Sequence, residues 1–138
     1  MTFREIEQNL PNGFHDSAIR GISVDFVNLS ISIAVDLHAS VEGDSDPERY
    51  RPGTLKVICP YLFFLDPPDP SYPFVPRGAP VNASSFPVRQ GENAKVDALL
   101  QRIPPEATAF AFFLDDWNSY LYVAGSSVEF SWDSNGSG

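Results

Sequence analysis

The most unusual run of chemically versatile side chains in the sequence is Asp115, Asp116, Trp117 and Asn118. Two neighbouring carboxylates can bind a metal ion, or one of them can hold a raised pKa and act as an acid. A tryptophan at a hairpin turn is also suited to anchor a partner. The alternative is ordinary turn chemistry, in which the Asp and Asn side chains bond to the backbone and Trp117 folds back onto the protein.

A second candidate is the pair His15 and Asp16, which comes just before the first predicted strand. A carboxylate beside a histidine can tune it as a base or as a metal ligand. Adjacent strand residues point to opposite faces, however, and local hydrogen bonds at the Asn12-Gly13 turn favour a structural role. A catalytic or metal-binding role would require this pair to converge with Asp115 and Asp116 in one cleft.

Other potential ligands form weaker patterns. Asp36 and His38 share one face of a strand, but two histidines and one cysteine are a thin set for zinc. The acidic run 42–48 lacks the ligand spacing of a calcium loop. Cys59 lies in the most apolar segment and is expected to be buried and inert. No nucleophile elbow or phosphate loop is present. The sequence therefore predicts no catalytic residue, no metal and no cofactor.

Composition and charge restrict the partners. The 138 residues are 43% apolar and carry a formal net charge of −9. Such a charge repels nucleic acid and favours a basic protein partner. The first residues lack a signal-peptide profile, and the longest apolar run, 57–65, is too short to span a membrane. We therefore expect a soluble cytoplasmic protein that binds neither membranes nor nucleic acid.

Two stretches of alternating apolar and polar residues, 18–38 and 109–132, indicate antiparallel hairpins that share one core. In the first of them, Arg20, Ile22, Val24 and Phe26 alternate with Gly21, Ser23 and Asp25, and the more apolar of these two sets is expected to face the core. A third strand is predicted from Thr54 to Leu65, where a continuous apolar run indicates burial on both faces.

Two short helices are expected to accompany these strands. Thr2 and Glu5 have the spacing of a capping box, which predicts a helix at about residues 3–9. Apolar residues recur at helical spacing between residues 92 and 103, which predicts an amphipathic helix that covers the sheet. These residues are Val96, Leu99, Leu100 and Ile103.

The remaining segments are interpreted as loops. Residues 41–53 form an acidic loop. Residues 66–87 contain seven of the 13 prolines, which predicts a polyproline-like loop packed on the domain. Tyr72, in this loop, is a candidate binding residue.

Together these patterns predict an α+β, mostly β fold. We expect an antiparallel sheet of five to seven strands, arranged as a meander of hairpins, with one or two covering helices. Residues 1–133 are expected to form a single globular domain, and residues 134–138 a flexible tail.

The opening phrase, residues 10–17, reads L-P-N-G-F-H-D-S. With the later phrases at residues 65–68 and 113–118, it resembles a group of small uncharacterised bacterial β-rich proteins with an L-P-x-G-F-H-D-[AS] opening. That group implies no activity for this chain. The histidine-aspartate opening before a sheet is also similar to some immunity proteins of toxin systems, which implies a protein partner.

Three functional hypotheses follow. The first is a non-enzymatic acidic binding domain, with an immunity protein as its more specific form. The second is a small enzyme or metal-binding protein that uses a cluster of His15, Asp16, Asp115 and Asp116. The third is a homodimer formed through a sheet face or edge. The candidate binding residues are Trp117, Asp115, Asp116, Asn118, His15, Asp16 and Tyr72.

Overall fold

The computed structural model describes residues 1–38, 50–89, 91 and 93–133. These residues form six strands and two short helices, so the mostly β fold class is confirmed. The elements are α1 (Phe3–Gln8), β1 (Ser17–Asp25), β2 (Ser30–His38), β3 (Tyr50–Leu65), β4 (Val81–Phe86), α2 (Ala94–Leu100), β5 (Thr108–Leu114) and β6 (Ser119–Trp132). Neither described helix has the length and apolar character required to cross a membrane. The predicted tail, 134–138, lies outside the described residues.

The strands close into an antiparallel barrel. Their order around it is β1-β2-β3-β6-β5-β4. The last junction is short, since Ser17–Ile19 of β1 pairs with Val81–Ala83 of β4. Closure leaves fewer unpaired strand edges than an open sheet would have.

Alternate residues of the strands point into the barrel and fill it. Because the strand period is two, the inward set is apolar and the outward set mostly polar. The shared core predicted for the two hairpins is confirmed. Its most buried strand residues are Ile31, Ile33, Val35, Leu37, Leu55, Val57, Phe110, Phe112, Leu121, Val123 and Val128.

Helix α1 closes one end of the barrel. Its N-terminus has the predicted capping box, in which the Glu5 amide donates to Thr2 Oγ1 and the Thr2 amide donates to Glu5 Oε1. The helix contributes Phe3, whose ring centroid lies 4.1 Å from that of Phe110 and 4.9 Å from that of Phe14. Stacked rings therefore fill this end of the interior.

Helix α2 covers part of the outer surface of the barrel, as predicted. It begins after Asn93, whose side chain accepts hydrogen bonds from the amides of Lys95 and Val96. It ends at Leu100, earlier than the predicted residue 103. Its buried residues form a second cluster with the outer face of β3, β5 and β6, namely Val96 with Leu62, Ala111, Tyr122 and Ala124.

Two predicted loops are partly wrong. Residues 81–86 form β4 rather than a polyproline-like loop, because no proline interrupts the chain between Pro80 and Pro87. A six-residue strand fits there and closes the barrel. Residues 50–53, assigned to the acidic loop, belong to β3 and pair with β2. Residues 41–49 of that loop lie outside the described residues.

The predicted inward phase of β1 is also partly wrong. The β1–β2 register shifts between Ile19 and Gly21, which makes Arg20 a bulge residue. Arg20 is exposed, and its Nε donates to Asp36 Oδ1 at 2.9 Å. Beyond the bulge β1 no longer pairs with β4, so Val24 and Phe26 are exposed instead of contributing to the core.

Strand β3 is not buried on both faces in its second half. Cys59, predicted to be buried, is exposed and has a φ of +48°. Its amide donates to the Leu29 carbonyl, and the β3–β6 register shifts between Pro60 and Leu62. This irregularity lets Phe63 and Leu65 reach solvent although both are large apolar residues.

Candidate functional site

The end of the barrel opposite α1 holds an apolar cavity. The amide of Phe3 in α1 bonds to Thr108 at the start of β5, whereas the cavity lies at Leu114, where β5 ends. We call this the open end. The cavity has a volume of about 310 Å³. Its lining is Ile19, Arg20, Gly21, Ile22, Leu65, Val81, Leu114, Trp117 and Leu121.

The sequence leaves this end open because two strands depart from regular pairing there. Strand β1 leaves β4 after Ile19, and β2 begins only at Ser30, where it pairs with Ile58 of β3. The β1–β2 hairpin and the end of β3 therefore extend past the closed part of the barrel. Their inward-facing residues Ile22 and Leu65 meet a cavity in place of a packed core.

Trp117 lies in the β5–β6 turn and lines this cavity. Its amide donates to the Leu114 carbonyl at 3.2 Å, and the turn ends at Asn118, whose φ of +47° is one that asparagine tolerates. The half-buried indole packs against the barrel core, and the ring of Phe74 meets it edge-on at 5.0 Å. Trp117 thus folds back onto the protein and at the same time forms a wall of the cavity.

Asp116 connects the turn to Asn82 of β4 and to Arg77. Its Oδ2 accepts from the Asn82 amide, and its Oδ1 lies 2.8 Å from Arg77 Nη1. Burial raises the pKa of Asp116, but hydrogen bonds from Arg77 and Asn82 outweigh that effect and leave the pKa below its usual value. The carboxylate is therefore engaged within the protein.

Asp115, the other carboxylate of the turn, has its pKa shifted in the opposite direction from that of Asp116. Partial burial raises its pKa, and the charges of Asp116 and Asp16 raise it further. The charge of Asp16 therefore acts on the Asp115 carboxyl group. His15 Nε2 lies 3.8 Å from Asp16 Oδ2, with both side chains at least 70% exposed, so the contact between them is a weak one. In the described part of the chain, no three His, Cys, Asp or Glu side chains group as metal ligands.

Asn118 and Tyr72 belong to the attachment of residues 66–80, which we call the proline loop. Asn118 Nδ2 donates to Asp69 Oδ2 at 2.9 Å, and the Asp69 amide donates to the Trp117 carbonyl. The Tyr72 amide donates to the Asp69 carbonyl, and its exposed side chain lies outside the cavity lining. Hydrogen bonds from Ser71 and Asn118 lower the pKa of Asp69.

Exposed apolar side chains lie at the open end in three segments, the β1–β2 hairpin tip, the end of β3 and the proline loop. We call these residues the apolar rim: Phe26, Val27, Leu29, Phe63, Leu65, Phe74 and Val75. Phe26 is 83% exposed and Val27 is 90% exposed. Grouped exposure of large apolar residues typically marks an interaction surface.

The charge that the described lining presents to an occupant is already paired. Among the residues that the structure describes, Arg20 is the one charged residue in the lining. Its Nε donates to Asp36 at 2.9 Å, and its Nη2 donates to Asp133 and to the Val35 carbonyl, each at 3.3 Å. Because the guanidinium is already compensated, the cavity suits an uncharged apolar group.

Comparison with known protein families, curated proteins and solved structures finds no significant match. The candidate site therefore depends on its geometry. The sequence indicates Trp117 and its turn as a candidate site but does not indicate the rest of the cavity, because Ile22, Leu65 and Val81 look like ordinary core residues. One signal was present, since Phe26-Val27 places two apolar residues in a hairpin turn, where polar residues are usual.

Proposed function

We propose that this protein is a non-enzymatic binding domain that recognises a protein partner through the open end of its barrel. The observation that carries the proposal is that an apolar cavity and a set of exposed apolar side chains lie at the same end of the barrel, with Leu65 belonging to both. A desolvated apolar centre is the usual core of a protein interface.

The negative net charge of the chain supports a basic protein as the partner. The chain carries a net charge of −9. At the open end, hydrogen bonds from Asn28 and Val27 lower the pKa of Asp25, so the hairpin tip keeps a negative charge beside its apolar residues. A basic toxin would complement both the negative net charge and the charged hairpin tip. The resemblance of the opening phrase to immunity proteins suggests a partner of this kind.

The test is photo-crosslinking in the cells that produce the protein. A photoreactive phenylalanine analogue at Val27 is expected to capture a protein that the same analogue at Ala98, exposed on α2, does not capture. The purified partner should then bind Val27→Asp at least tenfold more weakly, but Ala98→Asp within about twofold. Its association rate should fall as salt is raised.

Capture from both positions alike, or equal binding by both Asp variants, would contradict the proposal. Light scattering of the purified protein provides the remaining control. Recovery of a second copy of this chain at Val27, together with a dimer mass, would replace the basic partner by the homodimer hypothesis.

The enzyme or metal-binding hypothesis has one observation in its favour, the influence of Asp16 on the pKa of Asp115. It requires a cation that binds both carboxylates. Calorimetric titration with Zn²⁺ and Mg²⁺ is its test. Heat of binding that disappears in Asp115→Asn would support it, and a flat titration with both ions would contradict it.

A further inference from the structure

We infer that the cavity at the open end is an anchor pocket for one uncharged aromatic side chain of the partner. This inference rests on the proposed function and specifies which chemical group enters the cavity. It joins three independent observations: the size of the cavity, the paired state of Arg20, which is the charged residue among the described lining residues, and the exposed apolar rim at the same end of the barrel.

The volume of the cavity limits what can enter. An apolar cavity of roughly 150 Å³ binds a single benzene ring. The cavity here, about 310 Å³, therefore has room for a group of one or two rings but not for a helix or a strand. A side chain the size of phenylalanine or tryptophan is the matching unit.

The walls favour a ring without charge. Branched aliphatic side chains and the Trp117 indole form most of the lining, and indole pairs well with other aromatic rings. Arg20 already bonds to Asp36, Asp133 and the Val35 carbonyl, so an incoming carboxylate would compete with these partners. The described lining contains no carboxylate that could pair with an ammonium ion. Burying an unpaired charge is strongly unfavourable.

The rim indicates that the ring is attached to a protein. A free small molecule inside the cavity would leave Phe26, Val27 and Leu29 exposed. A protein side chain would bring neighbouring residues onto that surface and exclude water around the anchor. This arrangement, an aromatic group in a central pocket within a ring of weaker contacts, is typical of interface hot spots.

The inference is tested with amino-acid derivatives as probes in two-dimensional ¹H–¹⁵N NMR. The reporter is the Trp117 indole Nε1–H signal, identified by its absence in Trp117→Phe. N-acetyl-phenylalaninamide is expected to shift it in a saturable manner, and N-acetyl-lysinamide is not.

Val81→Phe, which places a ring in the cavity, should weaken this binding at least tenfold. Val27→Phe, the same change on the rim outside the cavity lining, should leave it within about twofold.

Absence of a shift up to the solubility limit, equal shifts from both probes, or unchanged binding by Val81→Phe would overturn the inference. If the Val81→Phe spectrum shows loss of folding, Ile22→Phe serves as the second filling variant. A partner captured at Val27 that binds Val81→Phe as tightly as the wild type would overturn the pocket while the proposed function stands. Probe binding without any captured partner would overturn the proposed function and the assignment of the ring to a protein.

Discussion

The surroundings of Asp115 in the folded protein disfavour its negative charge. Burial and the charges of Asp116 and Asp16 raise its pKa, so the folded state binds its proton more tightly than the unfolded state does. A raised pKa stabilises the fold at low pH, and that contribution is lost as pH rises through the folded-state pKa. At neutral pH the ionised carboxylate therefore opposes folding.

We expect Asp115→Asn to raise the free energy of unfolding at pH 7 by about 0.5 kcal/mol, the scale of exposed charge interactions. The gain should vanish at pH 3, where the carboxyl is protonated in both states. Urea denaturation at the two pH values measures it. An equal gain at both pH values would assign the effect to turn propensity, and a loss at pH 7 would contradict the like-charge explanation.

Asp116 next to it should behave in the opposite way. Its carboxylate accepts from the Asn82 amide and pairs with Arg77, which lowers its pKa. Its stabilising contribution is therefore present above the unfolded-state pKa and lost as pH falls through the folded-state pKa. We expect Asp116→Ala to destabilise by about 1–3 kcal/mol at pH 7, because the Asn82 amide loses its acceptor.

The matched control is Arg77→Ala, which should cost only about 0.2–1 kcal/mol because the guanidinium is about half exposed. Chemical denaturation of both variants provides the comparison. Equal losses would show that Asp116 acts only through the ion pair. No loss in Asp116→Ala would show that the proline loop is held without this carboxylate.

At the scale of elements, strands β3 and β6 approach each other closely at Gly125. A Cβ at Gly125 would overlap Val57 Cγ1 and lie 2.9 Å from the Ile58 carbonyl oxygen. A Cβ at Gly21, in the β1 bulge, would meet no atom within 4 Å. The two glycines therefore differ in what an added methyl group encounters.

We expect Gly125→Ala to destabilise by about 1–3 kcal/mol through overpacking. Gly21→Ala should be neutral or stabilise by up to about 1 kcal/mol through loss of unfolded-state entropy. Thermal and urea unfolding of both variants measure the difference. If Gly125→Ala proved as stable as Gly21→Ala, the strands would have to be further apart than the structure places them.

The elements show which parts of the fold local sequence can predict. Hairpin β1–β2 and helices α1 and α2 were found because alternation and helical spacing are local signals. Strand β4 was not predicted because the prolines on both sides of residues 81–86 favoured a loop, and the apolar pattern between them is too short to indicate a strand. The exposure of Cys59 was missed because the irregularity in β3 depends on pairing with β6, which is far away in sequence.

The candidate site was predictable only in part. The turn at Trp117 stood out because it combines carboxylates with a tryptophan. The cavity did not, because it depends on barrel closure, and closure requires β1 to pair with β4 across a long stretch of chain. Ile22 and Val81 acquire their role only from that pairing, since each has the properties of an ordinary core residue.

For the whole molecule, stability and binding are expected to reside at opposite ends of the barrel. Phe14 is fully buried beside α1, whereas Phe26 is exposed on the rim. We expect Phe14→Ala to destabilise by about 3–5 kcal/mol and Phe26→Ala to change stability by less than about 0.5 kcal/mol. Partner affinity should respond in the reverse order when each variant is measured under conditions in which it is folded. Similar stability losses from both would contradict this separation.

The most direct test of the central claim, that the open end is the binding face, is an amide chemical-shift map of the protein with and without its captured partner. We expect the largest changes at Ile22, Val27, Leu65 and Trp117, with little change along α2. A map centred on α2 or on α1, with the open end unaffected, would contradict the claim.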